Sequence, residues 1–250
     1  VQRGVRAIVL KSHNFPTADR AYLVNRVAAE KYPDVKFTAF GGLCLNRPVG
    51  GLNPDAVETS LKLGAKVIWL PTNTAENHYR KNGKDSSTGV VVTRDGKAVD
   101  ELQDIFALVK QYNAVLATGH IGAEECFPVV EAARVAGVEK IVITHPEFWV
   151  VGMTPEQQAD IVRKYDVLLE SVYAQPVNGS YKINIPDNIA AMKAIGPEHF
   201  VLSTDSGQTV NPYWYESYTT YFKAVSEVFT SEQVRKMTHD NPSWLLDIDQ

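Results

Sequence analysis

Three short apolar runs each end in a residue able to bind a cation or move a proton. "ATGHIG" ends in His120, "VITHPE" in His145 and "LSTDSG" in Asp205. Alternation along a strand places Leu116, Thr118 and His120 on one face, Ile141, Ile143 and His145 on another, and Val201, Ser203 and Asp205 on a third. Two neutral imidazoles and a carboxylate form a donor set for Zn, Mn, Fe or Ni. Such an ion lowers the pKa of a bound water toward ~7 and makes it a nucleophile at neutral pH. Asp205 can then act as the base that takes the proton of that water. Lys11 and His13, which end the run "AIVLKSH", are further catalytic candidates. Glu170 ends another run and is a candidate for the pocket wall. Arg47, in "CLNRPVGG", carries a bidentate fork that can bind an anionic substrate. His78, His199 and His239 lie away from strand ends and read as structural or surface residues. Glu124 and Glu125 open a helix and serve its dipole.

Such residues work only if a scaffold brings them to one side. Seven runs read as strands: 6–11, 36–41, 66–70, 114–118, 140–144, 166–170 and 200–204. Most are almost wholly apolar, as strands buried on both faces are. Helical stretches alternate with them. Asn53-Pro54 and Thr154-Pro155 open two helices, a helix follows Thr17 and runs to about Lys31, and Thr230 with Gln233 reads as a capping box. This alternation predicts an α/β fold with a parallel sheet. No GxGxxG turn follows the first strand, and the pairs Gly41-Gly42 and Gly50-Gly51 read as turns. Polar residues at the C-terminal ends of many strands point instead to a (β/α)8 TIM-type barrel, about seven of whose strands come from residues 1–250, as a single domain. Residues 73–99 break the rhythm with a hairpin-like "VVVTRDGKAV", which reads either as a surface hairpin or oligomer contact or as a lid.

The 250 residues are 44% hydrophobic and 22% charged, which excludes disorder and coiled coil. The formal net charge of −4, with scattered basic residues, lacks the footprint of a nucleic-acid binder. No run approaches the ~18–20 apolar residues that span a bilayer. Only two cysteines occur, Cys44 and Cys126, which suits a cytoplasmic location. A small-molecule substrate is the expected partner, and homo-oligomerisation stays open.

The succession "TGH", "THP" and "STD", with the ending "DNPSWLLDID", resembles the amidohydrolase superfamily of metal-dependent hydrolases. "VLKSHNFPTADRAYLVNR", "LNRPVGGLNPDAVE" and "LSTDSGQ" resemble a poorly characterised group within it. The resemblance implies that His120, His145 and Asp205 match the ligands on the superfamily's strands five, six and eight. Its His-x-His pair on strand one has no counterpart in this sequence, so that strand is expected upstream of Val1. "VIWLPTNT" offers no bridging ligand, which favours one ion, most naturally Zn, over two; Lys11 is the substitute at hand. The implied activity is metal-dependent hydrolysis of an amide, ester or lactone. Non-oxidative decarboxylation, with Arg47 on the carboxylate, and a metal-poor binding barrel are the alternatives.

Overall fold

Strands form where apolar residues can be covered on both faces, and the predicted runs are of that kind. The computed structural model describes residues 1–177 and 179–248, and seven strands pair in parallel, one at each predicted run. The architecture is α/β, of the TIM-type barrel class. The chain divides into two compact units, Val1–Ile141 and Val142–Gln250.

The first unit holds β1 (Ala7–Val9), β2 (Thr38–Cys44), β3 (Ala65–Trp69), the small antiparallel hairpin β4 (Thr93–Arg94) with β5 (Lys97–Ala98), and β6 (Val115–Ala117). Its parallel order is β1-β2-β3-β6. Around these run α1 (Ala18–Lys31), α2 (Pro54–Lys62), α3 (Glu76–Lys81), α4 (Leu102–Gln111) and α5 (Ala123–Val135). Leu43, Ile68 and Leu116 are buried in its core. Each such side chain contributes roughly 1.5–3 kcal/mol.

The division falls within β7 (Lys140–Ile143), and beyond it the second unit holds β8 (Leu168–Val172), the hairpin β9 (Ala174–Val177) with β10 (Ser180–Ile183), and β11 (Phe200–Ser203). Its parallel order is β7-β8-β11. Its helices are α6 (Pro155–Tyr165), α7 (Ile185–Ile195), α8 (Trp214–Ser226), α9 (Ser231–Arg235) and α10 (Asn241–Leu246). Ile143, Leu169 and Leu202 are buried. Among the described residues β1 pairs only with β2, and β11 only with β8.

The expected helix starts are present. Asn53 Oδ1 accepts from Ala56 N at 3.2 Å. Thr154 and Gln157 form a reciprocal capping box, as do Thr230 and Gln233. Thr17 precedes α1 without capping it: its hydroxyl donates to Leu10 O at 2.6 Å and accepts from Gly42 N at 2.8 Å, stitching the end of β1 to β2.

Two expectations are corrected. Gly41-Gly42 is not a turn but part of β2, at a bulge. A Cβ on Gly41 would lie 2.5 Å from Ala18 Cα, so α1 sits directly on the strand backbone there and only glycine fits. Gly50-Gly51 does turn, with φ of 91° and 70°. The β9–β10 hairpin was not expected, because Pro176 and polar neighbours argue against a central strand; a two-stranded ribbon has only edges and tolerates them. The hairpin expected in 73–99 is β4–β5, turning through Asp95-Gly96 with both φ positive.

Candidate active site

Parallel strands deliver their C-terminal ends to one side, and in the first unit those ends are tied together by polar side chains. His13 follows β1, Asn46 follows β2, Thr72 follows β3 and His120 follows β6. Asn46 is fully buried and joins three of these ends. Its Nδ2 donates to His13 O at 2.8 Å and Thr72 Oγ1 at 2.6 Å. Its Oδ1 accepts from Thr72 N at 2.9 Å, Thr74 N at 3.2 Å and Thr74 Oγ1 at 2.9 Å. His13 Nδ1 lies 2.7 Å from Thr72 Oγ1. The His13 and His120 rings meet edge to face at 5.8 Å.

His120 is buried and held at several points. Its N donates to Pro71 O at 2.9 Å, and its carbonyl accepts from Asn77 Nδ2 at 3.0 Å. Its Nδ1 lies 2.9 Å from Nδ1 of His78. Gly119 before it has φ of 65°, and a Cβ there would lie 2.4 Å from Leu70 O. The backbone entering His120 therefore requires glycine. His78 thus departs from its surface reading: α3, inside the 73–99 excursion, carries it onto His120. Burial, with Lys84 nearby, pushes the His78 pKa down to about 4, so it is neutral near pH 7.

Lys11 lies over the Trp69 ring, 5.7 Å from its centroid. Arg47 is exposed; its N donates to Thr74 Oγ1 at 3.0 Å. With Arg94, Thr88 and Glu101 it lines an open groove of about 580 Å³. That volume suits a small molecule. Glu125 closes a capping box by accepting from Gly122 N at 2.7 Å and also accepts from Thr93 Oγ1 at 3.1 Å, tying the β4–β5 hairpin to α5.

In the second unit, His145 follows β7 with φ of 27° and Asp205 follows β11 with φ of 48°. Left-handed backbone is uncommon outside glycine, and Asn, Asp and His adopt it most often. The His145 ring packs edge-on against Phe148 at 4.8 Å. Glu170 lies on β8, half-buried. Glu147, two residues past His145, was missed in the sequence. Its carboxyl is pushed up to about 8, first by burial and then by the charge of Glu170, and Asn184 Nδ2 donates to it at 3.3 Å. Beneath, Ser171 Oγ and Tyr221 Oη share a buried hydrogen bond of 2.6 Å. His199 and His239 keep their structural reading, beside Glu198 and Asp240.

The donor types of His120, His145 and Asp205 fit a borderline divalent cation. Each stands at a strand end where the backbone, at the residue or just before it, is left-handed. The described residues contain no ready-made cluster of three or more His, Cys, Asp or Glu for a metal ion. The fit rests on donor chemistry alone.

A family model described as "Family of unknown function (DUF6282)" matches residues 1–170. No curated protein matches the chain in sequence. Solved structures match its fold. An amidohydrolase from Pseudomonas aeruginosa is 14% identical, with a TM-score of 0.61 over 96% of this chain and 78% of its own. A 2,6-dihydroxybenzoate decarboxylase from Rhizobium is 15% identical, with a TM-score of 0.55 over 100% and 86%. A metallopeptidase from Rhodobacter sphaeroides, liganded with a phosphinate mimic of L-Ala-D-Ala, is 12% identical, with a TM-score of 0.55 over 98% and 69%. The chain shares the fold of these structures.

Proposed function

We infer that this chain, which belongs to the family of unknown function DUF6282, is an enzyme that hydrolyses a small molecule at an amide, ester or lactone carbon. The observation that carries this reading is the left-handed backbone at His145 and Asp205, which follow β7 and β11, with Gly119 giving the same turn before His120. At a non-glycine residue that conformation costs of order 1–3 kcal/mol, least at Asp, and such positions cluster at functional sites.

By the resemblance and their donor types, His120, His145 and Asp205 are the proposed ligands of one divalent ion, Zn by preference, with Mn, Fe or Ni also suited. Bound there, it supplies Lewis acidity and a water of lowered pKa. The chain's own groups do the rest. Asp205 takes the proton of the attacking water on a carboxylate oxygen and returns it to the leaving group. Glu147, protonated near pH 7, is a second proton donor. His13 and Lys11 line the strand ends and orient the polar head of the substrate, while Glu170 forms part of the wall. Arg47 binds an anionic substituent through its guanidinium. The buried thiols of Cys44 and Cys126 fit a reducing, cytoplasmic setting. No helix among the described residues is long and apolar enough to cross a membrane.

One observation favours decarboxylation as the second reading: two guanidinium groups, Arg47 and Arg94, line the same groove and suit a carboxylate. Metal analysis of the purified protein, with His120→Ala and His145→Ala beside it, tests the site. Both variants should lose metal and turnover together; unchanged metal content in both overturns it. Screening amide, ester and lactone substrates against carboxylated ones, with carbon dioxide release measured, separates the two reactions.

A further inference from the structure

The His78 and His120 nitrogens are closer than ring faces can pack. A 2.9 Å N···N distance lies well inside the ~3.5–4.0 Å of van der Waals contact, so a proton sits between them. The rings are nearly parallel, 19° apart, with centroids at 4.9 Å, which is how two imidazoles lie when they meet edge to edge through an in-plane N–H···N bond. One ring donates and the other accepts, and that choice sets the tautomer of both.

We propose that His78 is the positioning residue of His120: its Nδ1 accepts a hydrogen bond from the Nδ1–H of His120 and so makes Nε2 the unprotonated, electron-pair-bearing nitrogen of His120. Two further observations converge on it, both geometric. The same short helix grips His120 a second time, through Asn77 Nδ2 on its carbonyl at 3.0 Å, and Arg80 holds Asn77 in turn at 2.9 Å. α3 is itself anchored, since Glu76 N donates to Val90 O at 3.0 Å and a Cβ on Gly89 would lie 2.5 Å from Glu76 Cα. Beside the expected hairpin, the 73–99 excursion therefore carries a brace, α3, that orients one imidazole. The link to a cation rests on the proposed function: an imidazole binds metal only through an unprotonated nitrogen, and its other nitrogen is characteristically held by a partner.

The test is a side-chain nitrogen spectrum of the metal-free, histidine-labelled protein near pH 7.5, with the His120 signals identified by their loss in His120→Gln. The expected result is His120 protonated on Nδ1, the minor form of an unconstrained imidazole. His78→Leu, which removes the acceptor, should return His120 toward the Nε2–H form and weaken zinc binding about 10–100-fold in titration against a chelator. His78→Asn, whose Oδ1 takes the place of Nδ1, should restore both. His120 protonated on Nε2 in the wild-type chain overturns the proposal, and so does a folded His78→Leu variant with unchanged tautomer and affinity. A wild-type chain with the Nδ1–H form but no stoichiometric zinc supports the role of His78 and refutes the metal site.

Discussion

The strand ends of the first unit and those of the second solve the same problem with different chemistry. In the first, imidazoles and amides dominate: Asn46 makes five side-chain hydrogen bonds, and His13, Thr72, His78 and His120 complete the network. In the second, carboxyls dominate: Glu147 and Glu170 repel one another, Asp205 stands on a left-handed turn, and Tyr221 bonds Ser171. Burial acts on both regions in the same direction, toward the neutral form. It lowers the pKa of a histidine and raises that of a carboxyl. One physical cause thus readies a proton acceptor in one place and a proton donor in another.

The contrast can be broken most forcefully at Asp205. Asn tolerates the same left-handed backbone and keeps the shape but removes the base. Asp205→Asn should melt as the wild type does and lose ~10²–10⁴-fold in kcat, with a smaller change in KM. A near-normal kcat would end the catalytic assignment. The next largest effect lies in the amide network. Asn46→Ala strips partners from buried groups on three strand ends and should cost roughly 3–5 kcal/mol in denaturant unfolding. A loss below ~1 kcal/mol would show that the network is not what joins these ends.

The opposite shifts predict opposite pH slopes. His78 has a folded pKa of about 4 against 6.5, so stability falls as pH drops from 6.5 toward 4, where only the unfolded chain takes the proton. Glu147 has a folded pKa of about 8 against 4.5, so stability falls as pH rises from 4.5 toward 8, where only the unfolded chain loses the proton. Melting temperatures across pH 4–9 should lose the acid-side slope in His78→Asn and the alkaline-side slope in Glu147→Gln. The smallest effect is expected beneath the carboxyls. Tyr221→Phe removes the hydroxyl that bonds Ser171 and Asn188 and should cost about 1–2 kcal/mol, measured by the same unfolding curves.

The strands were legible from the residues because burial on both faces demands apolar, β-branched runs, and that demand is local. His120, His145 and Asp205 stood out for the same reason: a polar residue ending such a run has one place to go. Helix starts at Asn53, Thr154 and Thr230 followed from capping chemistry within four residues. Tertiary structure decided the rest. Gly41-Gly42 continues β2 because α1 presses on it, a contact between distant segments. With β2 extended to Cys44, Asn46 becomes a strand-end residue; a strand ending at Gly41 had hidden it. His78 sits in a polar stretch with no periodicity, and only the fold of 73–99 carries it to His120. Glu147 was one of 29 acidic residues until burial singled it out. Composition and period report what a residue does for its own element. Hydrogen bonds and pKa shifts depend on which residues, remote in sequence, desolvate and face it.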